Sequence, residues 1–177
     1  MKKNIFVIVC LWLISTSFLS SSVLAIMIGL SLEDLTRTSE CVIKGEVKNV
    51  ESYWSKDNKT IFTSASIDIE EIIKGKLLYK KIIVEYEGGE VNDIGLKVSD
   101  IAPLKRGEKI ILFLENVKSM KNEGKDVFNI VGNAQGKYVI GDDGIARRSG
   151  FSTIKEKNDK NSNILVNDLI NRVRRTK

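Results

Sequence analysis

From Cys41 onward the chain alternates. Cys41, Ile43, Gly45 and Val47 fall on one side, and Lys44, Glu46 and Lys48 on the other. A period of two over this length predicts a half-buried strand. Tyr53 and Trp54 end it, and Lys56-Asp57-Asn58-Lys59 reads as a polar turn. A second strand follows, with Ile61, Ala65, Ile67 and Ile69 set against Ser64, Ser66, Asp68 and Glu70, and Lys74-Gly75 breaks it. Lys81 to Glu87 gives a third, carrying Ile82, Val84 and Tyr86. The first two predict a long hairpin and the three together a meander. Gly88-Gly89-Glu90 opens an irregular loop that runs to Pro103, the only proline. Between Glu108 and Glu115 both phases are apolar, Ile110, Leu112 and Leu114 in one and Ile111 and Phe113 in the other. A strand of that kind is covered on both faces and belongs in the centre of a sheet. Val127–Val131 and Lys137–Ile140 are shorter strands, and Asp143-Gly144 is a hairpin turn leading to a last one at Ile145–Arg147.

Two segments carry a helical period instead. Ser31 and Asp34 have the spacing of a capping box, with Leu32 and Leu35 on one face, which predicts a short helix over 31–40. After the polar stretch Lys155–Asn163, the residues Leu165, Val166, Leu169, Ile170 and Val173 share a face of a C-terminal helix at about 160–177. Its last turns hold Arg172, Arg174, Arg175 and Lys177, where the helix dipole favours positive charge. Short strands, turn signals and a helix near each end predict a mainly β fold: a small OB-like, partly open antiparallel barrel of five strands or slightly more. Strand order does not follow from the periodicities.

Ahead of this domain, Lys2 and Lys3 precede ten apolar residues, Ile5 to Ile14, and a Ser/Thr-rich stretch reaches Val23-Leu24-Ala25. That is the three-part form of a secretory signal over 1–25. Cleavage leaves 26–177 as one exported domain (secreted, periplasmic or cell-surface) with no integral membrane span. Retention as an anchor is the alternative. No charge falls between Lys3 and Glu33, and Ile26-Met27-Ile28 prolongs the apolar character towards the roughly 20 residues a span needs. The polar clusters Ser15-Thr16-Ser17 and Ser20-Ser21-Ser22 interrupt that run. Cys10 lies deep in it with no small residues ahead, a poor setting for lipid attachment.

Without the two leader lysines the domain has 26 basic and 23 acidic residues, a net of +3. That balance implies no nucleic-acid partner. The excess is C-terminal, with nine basic against three acidic residues from Arg147 onward. Histidine is absent, which removes the usual general base, the usual zinc ligand and every Ser-His or Cys-His nucleophile. Only Cys41 remains after cleavage, so no intramolecular disulfide forms, and its register predicts a buried, quiet thiol.

The stretches Ser31-Leu32-Glu33-Asp34-Leu35, Val42-Ile43-Lys44-Gly45-Glu46-Val47, Glu71-Ile72-Ile73-Lys74-Gly75 and Gly107-Glu108-Lys109-Ile110-Ile111-Leu112-Phe113-Leu114 follow one another in order. Together with Gly88-Gly89-Glu90, Pro103 and Val131-Gly132-Asn133-Ala134-Gln135-Gly136-Lys137 they cover most of 31–140. In order and spacing they resemble a family of bacterial exported proteins without assigned function. The succession of strand, Lys-Gly, strand, Gly-Glu and apolar strand is similar to the OB-type barrel of netrin-like domains and tissue inhibitors of metalloproteinases. This likeness implies a fold. Those inhibitors chelate the protease zinc with an N-terminal Cys, whereas the expected N-terminus here is Ile26, so no inhibitory residue carries over.

The candidate sites are few. Glu70, Glu71, Glu85, Glu87, Glu90 and Asp93 could supply oxygen ligands, but nothing matches the spacing of a calcium loop. Asp142-Asp143 is explained by its turn, and Gly88-Gly89 by a tight bend rather than a phosphate cradle. A glycosidase carboxylate pair requires a cleft that sequence alone does not reveal. The expected function is a non-enzymatic binding module, without cofactor, metal or nucleic acid, recognising a protein at the envelope or outside it, an exported protease among the candidates. The alternative is an envelope-associated domain that binds anionic surfaces through Arg172, Arg174 and Arg175.

Overall fold

A computed structural model describes residues 29–117, 127–149 and 162–176. Helix α1 (Leu32–Thr38) has the expected capping box, with Ser31 accepting from the Asp34 amide and Asp34 accepting from the Ser31 amide. Ten strands follow: β1 (Cys41–Trp54), β2 (Ile61–Lys74), β3 (Lys81–Glu87), β4 (Gly89–Val91), β5 (Ile94–Leu96), β6 (Lys109–Val117), β7 (Val127–Ile130), β8 (Lys137–Ile140), β9 (Ile145–Arg148) and β10 (Asn163–Leu165). Helix α2 (Val166–Arg175) ends the described chain. The leader expected over 1–25 lies outside the described residues. Among those described, no helix is long and apolar enough to cross a membrane.

β1, β2 and β3 form the expected antiparallel meander. β3 then pairs with β7, β7 with β6, and β6 with β1, which closes a ring of five strands. The sequence predicts an antiparallel barrel, but one pair of the ring departs from it: β3 and β7 run parallel through Ile83↔Val127 and Val84↔Phe128. The way round the ring from β3 to β7 passes through β2, β1 and β6 by four antiparallel pairings, which leaves β7 in the direction of β3, so closing five strands requires a parallel pair. β8 shares an edge of β6 with β7 and carries β9 and β10 outward as an extension of the wall. The β8–β9 turn is the expected one, with Gly144 in the left-handed region at φ +72° and its amide donating to Gly141. The loop expected to be irregular between Gly88 and Pro103 contains a small hairpin, β4–β5.

Two apolar cores share one wall. Inside the ring lie Ile43, Val47, Ile67, Val84, Ile110, Leu112 and Leu114, among others. Outside it, α1 and α2 cover Val42, Ile111, Phe113 and Tyr138 with Leu32, Leu35, Leu169, Ile170 and Val173. β6 therefore contributes its even residues to one core and its odd residues to the other, which is why its sequence is apolar in both phases. Leu165 departs from expectation: it belongs to β10, paired with Ile145, and is 55 % exposed rather than on the helix face.

Candidate functional site

β3 and β7 stay paired for only two residues, and beyond Val84 and Phe128 they part. The segment Val98–Leu104 lies across this gap, and two adjoining hollows of about 380 and 310 Å³ remain, sharing Tyr86, Glu87, Val98 and Ile101. The larger one faces the outer flank of the barrel and is lined by Phe62, Glu85, Asp100, Asn129 and Asn133 as well. The smaller one is the mouth of the barrel itself, lined by Ser52, Thr63, Gly88, Gly89, Leu96 and Pro103.

Strand alternation decides which side chains reach each hollow. On the inner face, Ser52, Thr63 and Tyr86 form one cross-strand row. The Ser52 and Thr63 hydroxyls are 2.9 Å apart, and Thr63 donates to the Gly88 carbonyl at 2.6 Å. Gly89, at φ +131°, passes so close above them that a Cβ would collide with both hydroxyls. These glycines thus serve a bend at the barrel mouth. On the outer face, Tyr53, Phe62 and Glu87 form the next row, and the Tyr53 and Phe62 rings stack at 6.3 Å.

The larger hollow is acidic. Glu85 is only 6 % exposed, and burial together with the adjacent Glu85 carboxylate pushes the Tyr53 phenol up from its usual value. Asp100 accepts from the Asn133 amide at 2.5 Å, and its carbonyl accepts from the Ala134 backbone at 3.0 Å. Glu87 accepts from the Thr60 hydroxyl at 3.3 Å. No Lys or Arg among the described residues lines this hollow. Among the described residues no group of three His, Cys, Asp or Glu is spaced to hold a metal ion. The hollow offers carboxylates, side-chain amides and an aromatic edge, a surface for recognition by hydrogen bonds and charge.

The arginines proposed from sequence lie elsewhere, on α2. Arg172 is bound to Glu33 of α1 at 2.7 Å, and this guanidinium holds the Glu33 carboxyl below its usual range. Arg174 is bound to Glu71 of β2 at 2.6 Å. Arg172 thus fastens α2 to α1, and Arg174 fastens it to the barrel. Arg175 is exposed and forms no ion pair with a described residue. Of the acidic residues singled out, Glu85 and Glu87 reach the hollow, Glu70 pairs with Lys44 at 2.9 Å, and Glu71 with Arg174. Cys41 is 2 % exposed, and burial, with Glu40 nearby, pushes its thiol up to about 11.

The sequence periodicities do not single out Asp100, in a loop, or Asn129 and Asn133, in a strand and the turn just after it, because the loop and the strand are distant in the chain. Nor do they single out Lys137, whose ammonium is buried against the Glu108 carboxylate at 2.8 Å and the Pro103 carbonyl at 2.7 Å, tying the end of the Val98–Leu104 segment to the wall. Period-two alternation places Lys137 in a strand but does not identify its partner. No protein-family model matches the chain, and no curated protein is found to match it.

Proposed function

We propose that the chain is a non-enzymatic binding module exported from the cytoplasm, and that it recognises a protein through the open side of its barrel, where β3 and β7 part. One observation carries this reading. The two helices cover one wall and draw Arg172 and Arg174 into ion pairs with Glu33 and Glu71, while away from them the described residues leave an acidic hollow of about 380 Å³. Hollows of a few hundred Å³ with convergent polar groups are where partners' side chains lodge. An exported protease is one candidate partner, on the resemblance of the fold alone. The second reading, adhesion to an anionic surface through the basic helix, is supported by the exposed Arg175.

Affinity capture from envelope extract at low and high salt separates the two. Ala102→Trp fills the larger hollow, and Arg175→Ala removes the α2 arginine that pairs with no described residue. The proposal expects a protein that remains bound at high salt, is lost with Ala102→Trp and is retained by Arg175→Ala, since a packed interface is screened little by salt. Capture that disappears at high salt and with Arg175→Ala, while Ala102→Trp leaves it intact, would establish the second reading.

A further inference from the structure

The β2–β3 connection, Gly75 to Lys80, does not resemble the other turns of the barrel. Its sequence runs Gly75-Lys76-Leu77-Leu78-Tyr79-Lys80, with Lys81 opening β3. Leu77 turns inward and packs against the interior core. Leu78 and Tyr79 turn outward, 93 % and 60 % exposed. Both ends of the excursion are braced. Gly75, at φ +89°, passes so close to the backbone of α1's exit that a Cβ would lie 2.6 Å from the Glu40 carbonyl. At the other end the Ile69 amide donates to the Lys80 carbonyl at 2.8 Å. The two apolar side chains are therefore held out on a fixed loop.

We propose that this loop docks the protein on an anionic phospholipid bilayer. A single exposed leucine means little, but here Leu78 and an amphipathic Tyr stand side by side in an exposed connection with lysines on both sides. Tyr is suited to the headgroup boundary, Leu to the acyl region just below, and Lys to the anionic surface above. Lys76 and Lys80 are exposed and form no ion pair with a described residue, and Lys81 is shared with Asp68 at 3.4 Å. Insertion into a fluid interface needs no complementary shape, and the exposed lysines on either side of Leu78 and Tyr79 match an anionic surface, which favours a bilayer over a protein pocket. Arg174, fixed to Glu71 on the strand that feeds the loop, adds the cationic end of α2 to the same flank. This surface is separate from the acidic hollow and does not depend on what the hollow binds.

The test uses the full chain, whatever its leader does, because the readout is local. In a Tyr79→Trp variant, fluorescence quenching by brominated acyl chains is measured as the increment over the parent protein. Quenching is expected in vesicles containing phosphatidylglycerol and absent in pure phosphatidylcholine. Leu78→Asp in the same background should weaken it about tenfold or more, and each of Lys76→Ala and Lys80→Ala roughly fivefold, consistent with the contribution of one basic residue near an anionic surface. Arg175→Ala should change it by less than either lysine. No quenching above the parent in anionic vesicles, equal quenching in both lipids, or indifference to Leu78→Asp would each overturn the proposal.

Discussion

The two sides of the barrel are built to different rules. On the covered side, β6 is enclosed between the interior core and the two helices, and Ile111, Phe113, Leu169 and Leu35 are fully buried. On the open side, the outer face carries Glu85, Glu87, Phe62 and Asn129 around a hollow, with the Val98–Leu104 segment across it among the described residues. Polar groups held at a partly empty site add little to stability, whereas removing buried apolar area from water is the main favourable term in folding. The contrast assigns maintenance of the fold to the covered wall, and the proposal places the partner on the open side.

The largest expected effect lies in the covered wall. Leu169→Ala should cost about 2–5 kcal/mol and lower the melting temperature by roughly 4–20 °C, a large share of the about 5–15 kcal/mol that holds a typical domain together. Ala102→Trp on the open side, where there is room for the ring, should shift melting far less. Equal losses in the two variants, followed by calorimetry, would remove the distinction between the sides.

A pH effect comes next, from the start of β1. The thiol of Cys41 ionises near 9.0 when unfolded and near 11 when folded. The unfolded chain therefore gives up this proton first, and the associated stability, present below pH 9, declines as pH rises from about 9 to 11. The loss is of order 2 kcal/mol. Cys41→Ala should flatten the alkaline limb of denaturant midpoint against pH, and a limb of unchanged slope would show that the thiol is not buried as described.

Arg174→Ala should have the smallest effect. Its pair with Glu71 is about half exposed, and such pairs contribute about 1 kcal/mol or less and are weakened by salt. Urea titration at low and high ionic strength should show a small difference from the parent that shrinks with salt. A larger, salt-insensitive loss would mean that the pair positions α2 rather than merely trimming its surface.

Much of the covered side was legible in the sequence, because each of its elements has a local signature. The capping box at Ser31 and Asp34, the two-phase apolarity of Ile110 to Leu114 and the 3.6-residue spacing of Leu169, Ile170 and Val173 each point to burial without knowledge of a partner. The open side was not legible. Glu85 and Glu87 read as residues facing water, and only the short parallel pairing of β3 with β7 brings them beside Asn129 and Asp100. That pairing joins segments some forty residues apart, and no local period records it. Leu165 failed for a related reason: its apolar character fits the helix face, but pairing with Ile145 holds it in a strand. The arginines of α2 were legible as charges, and their engagement with Glu33 and Glu71 was not.

The central claim is that partners meet the open side and not the helix-covered wall, and hydrogen exchange on the intact chain tests it most directly. Exchange is followed by mass spectrometry with and without the protein captured from envelope extract. The account predicts added protection over Glu85–Gly89 and Val98–Ala102, with Val166–Arg175 unchanged. Protection gained over Val166–Arg175, with no change along β3 or the Val98–Leu104 segment, would contradict it.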